Sequence, residues 1–324
     1  MKAAWYEKNG PARDVLVVGE LPTPEPGPGE VRVKLAVSGI NPSDVKSRRG
    51  RPLPFPRIVP HSDGAGVIDR VGAGVPEERI GERVWVWNGQ WQRAMGTAAE
   101  HIVLPARQAV RLPDKTGFDA GACFGIPALT AIHGVGLAEA APGRTLLVTG
   151  AASGVGHYAV QMAKAAGATV LATASARRRA HALSAGADAV FDYKAEDVAA
   201  RVKELTGGRG ADAILDMDLS STAPLLPRGV LAPHGKLVSY GSNQPTDIPV
   251  SFPAMLWGSL TLQMYLVYEL RDSERAQAIA GLTAMLEANT LQHTIGARFP
   301  LERIAEAHEA VEVGGVIGNV VLEI

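Results

Sequence analysis

The stretch that most constrains this chain is Leu146-Leu147-Val148-Thr149 running into Gly150-Ala151-Ala152-Ser153-Gly154-Val155-Gly156. The apolar run shows no polar alternation, as expected of a strand covered on both faces. The turn after it is built almost wholly of small residues. The next segment, His157–Ala166, reads as a helix stopped by Gly167. The same rhythm then recurs. Strands are expected at Thr169–Thr173, Ala189–Tyr193, Ala213–Asp216 and Lys236–Tyr240, with helices at Arg178–Ala185 and Asp197–Leu205. Strands alternating with helices predict an α/β fold with a doubly wound parallel sheet. Leu260–Tyr268 is a further strand candidate. Helices at Ser273–Ala288 and Leu301–Glu312 and a last strand at Asn319–Ile324 follow it.

Residues 1–120 have another texture, with short β-type runs broken by proline and glycine. Val31–Val37 alternates with period two, as a half-buried strand does. Pro22, Pro24, Pro26 and Pro28 precede it and exclude a central strand or helix there. Gly64–Ile68 and Arg83–Trp87 read as further strands, so a partly closed β-fold is expected. Thirty-two basic against thirty-three acidic side chains leave a net charge of -1, which argues against a general nucleic-acid binder. The single cysteine, Cys123, excludes an internal disulfide framework and a multi-cysteine zinc lobe. The start MKAAWYEKNG lacks an apolar stretch of signal-peptide length, and no run of about 18 apolar residues occurs. A cytoplasmic protein with no membrane partner is the expectation.

Small residues at 150–156 let backbone approach a pyrophosphate, and the helix start offers unpaired N–H groups and partial positive charge. Set against G-x-G-x-x-G, the three glycine positions are Ala151, Ser153 and Gly156. Ala152, Ser153, Gly154, Val155 and Gly156 are therefore candidate cofactor contacts. About 20 residues beyond such a turn, an NAD-binding chain carries Asp or Glu for the ribose hydroxyl. This sequence instead reads Thr173-Ala174-Ser175-Ala176-Arg177-Arg178-Arg179. A guanidinium suits a 2′-phosphate, so NADPH is expected over NADH, with Arg178 the candidate at the phosphate.

The segments Ser38-Gly39-Ile40-Asn41-Pro42-Ser43-Asp44, Asp63-Gly64-Ala65-Gly66, Val71-Gly72-Ala73-Gly74-Val75 and Gly81-Glu82-Arg83-Val84 form an ordered series. Pro127-Ala128-Leu129-Thr130-Ala131 and Gly150–Gly156 continue it. In order and spacing the series resembles the medium-chain dehydrogenase/reductase superfamily over essentially the whole chain. Within that superfamily the chain is similar to the zinc-independent quinone oxidoreductases, the ζ-crystallin-like branch. The resemblance implies a GroES-like, partly closed β-barrel catalytic domain from residues 1–122 and 270–324. It implies a Rossmann-type NADPH-binding domain at 123–269. It places Asn41 and Thr130 at the nicotinamide, with Asp44 on the same wall, and Tyr193 with Arg178 at the 2′-phosphate, Ser175 beside them. It also brings Gly241 and Ser242, and more weakly Gly318 and Asn319, past the cofactor. Family members commonly pair through the last strand of the sheet. An exposed apolar edge invites the same, so a homodimer through residues 260–268 is expected.

Zinc-dependent relatives carry Cys where Ile40 or Asn41 stands, and Gly-His-Glu where His61-Ser62-Asp63 stands. With the thiolate and the cysteine lobe missing, His61 and Asp63 fall short of three ligands, so no metal is expected and His61 reads as a structural or surface residue. Without one, a carbonyl lacks strong Lewis-acid polarisation. A quinone or α,β-unsaturated carbonyl spreads the incoming charge through conjugation, so positioning supplies much of the rate. Asn41 or a backbone N–H would donate to the developing oxyanion. The expected partner is thus a small-molecule acceptor of that kind. A zinc-free enoyl-thioester reductase is the nearest alternative. A non-enzymatic NADPH-binding structural or RNA-associated protein is the other, disfavoured by the lack of an aromatic–basic platform. Trp85, Trp87 and Trp91 read first as strand packing and second, for Trp87 or Trp91, as a wall for a planar substrate. Cys123 is expected to be a buried small hydrophobe.

Overall fold

The computed structural model describes residues 1–324, which fold as two compact units. The first unit takes Met1–Ile126 and Met285–Ile324, the second Pro127–Ala284. The first unit holds strands β1 (Lys2–Trp5), β2 (Val17–Glu20), β3 (Glu30–Ile40), β4 (Asp63–Val71), β5 (Arg83–Val86), β6 (His101–Pro105) and β7 (Ala109–Arg111). The second holds β8 (Thr145–Val148), β9 (Thr169–Ala174), β10 (Ala189–Asp192), β11 (Ala211–Asp216), β12 (Leu231–Ser239) and β13 (Thr261–Met264). β14 (Ile295–Pro300) and β15 (Asn319–Glu323) return to the first unit.

In the second unit six parallel strands lie in the order β10-β9-β8-β11-β12-β13. The order reverses between β8 and β11, so connections leave that point toward opposite edges and open a crevice at the carboxyl ends of the strands. Apolar runs without alternation are what such a sheet requires, because helices cover both of its faces. Leu147, Leu171, Phe191, Ile214 and Leu237, one from each of five neighbouring strands, share a buried cluster with Val198 and Val202 of the helix Val198–Leu205.

Two elements differ from the sequence expectation. The helix after β8 begins at Gly154 rather than His157, because Ser153 caps it and Gly154-Val155-Gly156 are already helical. The expected strand Leu260–Tyr268 pairs with β12 only over Thr261–Met264. At Tyr265 the phenol donates to the carbonyl of Thr130 at 2.8 Å, and Val267–Glu269 turns as a 3₁₀ helix. The buried Arg275 guanidinium takes up the carbonyls of Val267 and Tyr268. Those carbonyls are thereby satisfied without a neighbouring strand.

In the first unit the sheet runs β14-β15-β3-β4-β5-β7, with β6 also paired to β3. All pairs are antiparallel except β14–β15. β3 is the spine: its first half pairs with β6, its last four residues with β15, and its other edge with β4. The half-buried reading of Val31–Val37 fails at Arg32, which is only 7% exposed. Its guanidinium is held by Asp69 and by Glu25, both at 2.9 Å, so a charge on the nominally wet face is buried with partners. Val31, Val33 and Leu35 join Ile68, Val84, Ile102 and Leu104 in this unit's core.

Candidate active site and cofactor cradle

The turn after β8 is shaped by two close approaches. Gly150 has φ +64°, and a Cβ there would lie 1.8 Å from the Met217 sulfur. A Cβ on Gly156 would lie 2.2 Å from the Gly150 carbonyl oxygen. Neither position admits a side chain. Ala151 is fully buried and its N–H bonds the Thr173 carbonyl at 2.9 Å, while Gly150 N–H bonds the Thr173 hydroxyl at 3.0 Å. Ser153 uses its hydroxyl to accept from Gly156 N–H at 3.0 Å. The turn and the first turn of the helix Gly154–Ala165 together make a small-residue cradle beside a helix N-terminus, which fits a pyrophosphate. Ala152, Ser153, Gly154, Val155 and Gly156 all lie in it. Gly150 and Thr173, not singled out from the sequence, hold it in shape.

Ser175 follows β9, and Arg178 N–H closes back onto its carbonyl at 2.8 Å. Tyr193 follows β10, and the register Ala174↔Asp192 sets the two strand ends side by side. Ser175, Arg178 and Tyr193 therefore lie at one corner of the sheet. Tyr193 is 54% exposed, with Lys194 over its ring. A cationic corner with an exposed aromatic ring has the chemistry of a phosphate-and-base subsite.

A buried acid ties the middle of the crevice together. Asp216, at the end of β11, accepts from the hydroxyls of Thr149 (3.0 Å), Thr222 (2.6 Å) and Ser239 (2.9 Å). Asp218 accepts from both the backbone and the side-chain amide of Asn243, at 2.9 and 2.8 Å. Leu219 N–H bonds the Gly241 carbonyl, and a Cβ on Gly241 would sit 2.8 Å from the Met217 carbonyl. The loop carrying Gly241 and Ser242 is thus pinned to β11 by carboxylates that motif reading passed over. Thr130 is buried on the helix Leu129–Leu137, with its carbonyl occupied by Tyr265. Two helical histidines meet aromatic partners: His133 rests its ring on Tyr265, and His157 stacks on His181.

In the first unit Asn41 stands between two buried carboxyls. Asn41 caps the helix Pro42–Gly50 in a capping box, its side chain accepting from Asp44 N–H while Asp44 Oδ2 accepts from Asn41 N–H at 2.7 Å. Its Nδ2 donates to Asp63 Oδ2 at 2.9 Å, and Ile126 N–H donates to the same oxygen at 3.1 Å. The amide cannot turn over, since that would set N–H against N–H at Asp44. Asn41 is therefore locked as a donor with a second Nδ2 hydrogen to offer. Burial pushes the Asp44 carboxyl up to about 7 and the Asp63 carboxyl well above its usual range.

Beneath this group runs a directed chain of hydrogen bonds. Thr97 gives its hydroxyl hydrogen to the Asp63 carbonyl at 2.6 Å, so Ser38, 2.7 Å away, must donate to Thr97. Ser38 then accepts from His61 Nδ1–H at 2.9 Å, which leaves His61 Nε2 bare to accept from His308 Nε2–H, also at 2.9 Å. His61 holds φ +76° and both imidazoles are fully buried. Burial, first, keeps both well below the usual histidine range, His308 at about 3. His61 is buried, so it is not a surface residue, and its partner stands 247 residues away, where no local pattern announces it. His61 and Asp63 do not gather a third ligand: no three His, Cys, Asp or Glu side chains group as a metal site would need.

Gly318 and Asn319 sit where β15 begins. Gly318 has φ +90°, and both the N–H and the amide of Asn319 go to the Thr294 carbonyl. Trp85 is fully buried and edge-on to Phe124, and Trp87 is 7% exposed. Cys123 is buried, as expected, with its thiol on the Asp119 carbonyl at 3.3 Å.

Comparison with known proteins fits this geometry. Residues 27–114 match the alcohol dehydrogenase GroES-like domain, and residues 154–284 match the zinc-binding dehydrogenase family. The chain is 30% identical to a 2-haloacrylate reductase of a Burkholderia species, over 99% of this chain and 98% of that one. It is 31% identical to the quinone oxidoreductase of Homo sapiens, over 98% of this chain and 95% of that one. The chain belongs to the quinone oxidoreductase branch of the medium-chain dehydrogenase/reductase superfamily. A mycobacterial structure solved in complex with NADPH superposes with a TM-score of 0.88 at 28% identity, over all of both chains. The α/β fold, with its Rossmann-type parallel sheet and GroES-like unit, is that of the superfamily.

The buried acids and imidazoles act on stability with opposite signs. A histidine held neutral loses stability as pH falls below its unfolded value of about 6.5, because the unfolded chain takes up the proton. A carboxyl whose value is raised stabilises most below about 4 and loses that contribution as pH rises toward the folded value, about 7 for Asp44. Between pH 4 and 7 the two slopes offset. Thermal unfolding across this window should show a steeper rise of Tm with pH in Asp44→Asn than in the unaltered protein, and a shallower one in His308→Gln. Parallel profiles for all three proteins would contradict these assignments.

Proposed function

We propose that this chain is an NADPH-dependent oxidoreductase that transfers a hydride to a quinone or another α,β-unsaturated carbonyl. The observation that carries the acceptor class is the locked Asn41 amide, a single neutral donor between Asp44 and Asp63. One neutral donor suffices where conjugation disperses the developing charge. Both relatives named above bear names of conjugated acceptors, a quinone and a haloacrylate. NADPH, when bound, supplies the hydride. Ala152–Gly156 would receive its pyrophosphate, and Ser175, Arg178 and Tyr193 its 2′-phosphate end. Gly241 and Ser242 would border it from the β12 side, and Thr130 the nicotinamide. Asn41 would donate its free Nδ2 hydrogen to the acceptor oxygen, with Asp44 and Asp63 holding the amide in register. Gly318 and Asn319 are assigned only to the path of the chain near the acceptor.

The second unit also has a surface suited to a second copy. β13 is the edge strand of its sheet, and Phe252, Leu256, Trp257, Met264 and Leu266 are exposed near it, Trp257 at 86%. We assign this edge to a homodimer, which would pair the open backbone and cover the apolar side chains.

The acceptor class is tested by following NADPH oxidation with a quinone, an enal and an enoyl-thioester. Turnover is expected with the first two, and Asn41→Ala should lower kcat by about 10- to 100-fold with little change in KM for NADPH. Turnover with the thioester alone would move the assignment to an enoyl-thioester reductase. Tight NADPH binding with no turnover at all would support a non-enzymatic role. For the cofactor, Arg178→Ala should reduce kcat/KM with NADPH by about 10- to 100-fold, the worth of a charge-assisted contact, and leave NADH unchanged. An unaltered NADPH/NADH ratio would remove Arg178 from the site. For assembly, light scattering should find a dimer at micromolar concentration and a monomer for Trp257→Glu combined with Met264→Lys.

A further inference from the structure

His157 and His181 lie face to face in the second unit, ring centroids 4.1 Å apart and planes within 4°. They come from neighbouring helices, Gly154–Ala165 and Arg179–Ser184, and each lies within the first turn of its helix. One helix begins at the small-residue cradle, and the other continues directly from Arg178. Two features keep the His181 ring neutral. Burial disfavours its imidazolium and the Arg178 guanidinium adds to this, so both push the His181 imidazole below the usual histidine range. Of the two, His157 is almost wholly buried and His181 only partly, so His181 is the ring that can take a charge at lower cost. Its Nε2 is buried and hydrogen-bonds to nothing.

The surroundings of His181 are otherwise settled. From the helix Gly154–Ala165 it faces His157 and, farther along, Lys164, which is paired with Asp188 at 2.8 Å. β9 brings no titratable side chain. β10 brings Asp192, which accepts from Lys194 N–H. On its own segment stand Arg177, Arg178 and Arg179, the last 3.6 Å from Glu196. The charge that weighs on the His181 ring is that of Arg178.

We propose that His181 is a conditional cation of the 2′-phosphate site: neutral in the free protein, it takes up a proton when a 2′-phosphate settles at Arg178. The phosphate's charge of nearly -2 offsets the guanidinium that had kept the ring neutral. The imidazolium is then stacked on the ring of His157, a favourable arrangement for a cation over an aromatic face. His181 thus becomes a specificity-determining residue that acts on NADPH and not on NADH, and the preference between them becomes pH-dependent. This deepens the NADPH reading above and rests on it.

The sign makes the effect separable. A phosphate monoester itself titrates near pH 6, so binding it as the dianion releases protons. Uptake has the opposite sign. Calorimetric titration of the whole protein with NADPH and with NADH, in buffers of different ionisation enthalpy between pH 6.5 and 8.5, reads it directly. The expected result is net proton uptake with NADPH, none with NADH, and an NADPH/NADH affinity ratio that grows by up to about tenfold per unit fall in pH. His181→Gln should keep the NADPH preference at pH 8.5, where the ring is neutral, and lose both the uptake and the pH dependence. Thermal unfolding of that variant checks that it is folded. An NADPH preference that depends on Arg178 but carries no proton uptake would overturn the role of His181 alone. Equal affinity for the two carriers at every pH would overturn the NADPH reading and this inference with it.

Discussion

The second unit depends on how closely the helix Gly154–Ala165 approaches the turn that precedes it. With the Gly156 Cα so near the Gly150 carbonyl, no side chain larger than hydrogen fits, and Met217 imposes the same limit on Gly150 from the other side. These two contacts fix where the first helical N–H groups stand relative to β8. Once they are fixed, other positions in the turn are free to vary within physical limits. Ala151 replaces one glycine because its methyl is turned into the core and its N–H is spent on Thr173. Ser153 replaces another because its backbone is extended and its hydroxyl caps the helix it begins. A motif search for three glycines looks at the variable positions and misses the invariant geometry.

The first unit solves a different problem, that of placing polar groups where water is absent. Asn41, Asp44, Asp63, Ser38, Thr97, His61 and His308 are all 5% exposed or less. Such a set is tolerable only when nearly every donor meets an acceptor, and here the donors can be counted in one direction from His308 to the Asp63 carbonyl. The groups left over are His308 Nδ1 and Asp63 Oδ1, both buried and unpaired. Gly125 is why the second is possible, for a Cβ there would fall 2.4 Å from that oxygen. The network does not generate charge. It removes freedom, and the residue whose freedom it removes most completely is Asn41.

Much of this was legible in the sequence, and the reasons divide by range. The strand–helix alternation from β8 to β12 is a local pattern, because each parallel strand is sheathed on both faces and each helix ends at a glycine. The residues of the cradle and of the cationic corner are local too, lying within a few positions of a strand end. What was hidden depends on distant partners. Arg32 looks solvent-facing until Asp69 and Glu25 are seen against it. Tyr265 reads as strand until its phenol is found on Thr130. His61 reads as solitary until the last helix delivers His308. Hydrophobic periodicity says which way a side chain faces, not what waits there.

The two units also differ in how readily their chemistry can change. On the proposed assignment, a dinucleotide's pyrophosphate would be received by backbone, and the glycines that permit it are bound to the packing of β8 against its helix. On the same assignment, discrimination at the ribose falls to side chains at the ends of β9 and β10. Tyr193 is more than half exposed, and Arg178 sits in a short 3₁₀ turn whose main-chain bond to Ser175 does not depend on its guanidinium. Substitution at that corner alters charge without disturbing the sheet. Asn41 has no such latitude: its amide is bound on both sides, and changing it leaves Asp63 with one donor fewer in a site closed to water. On the proposed assignment, cofactor preference is the adjustable property of this architecture, and the orientation of the Asn41 amide the fixed one.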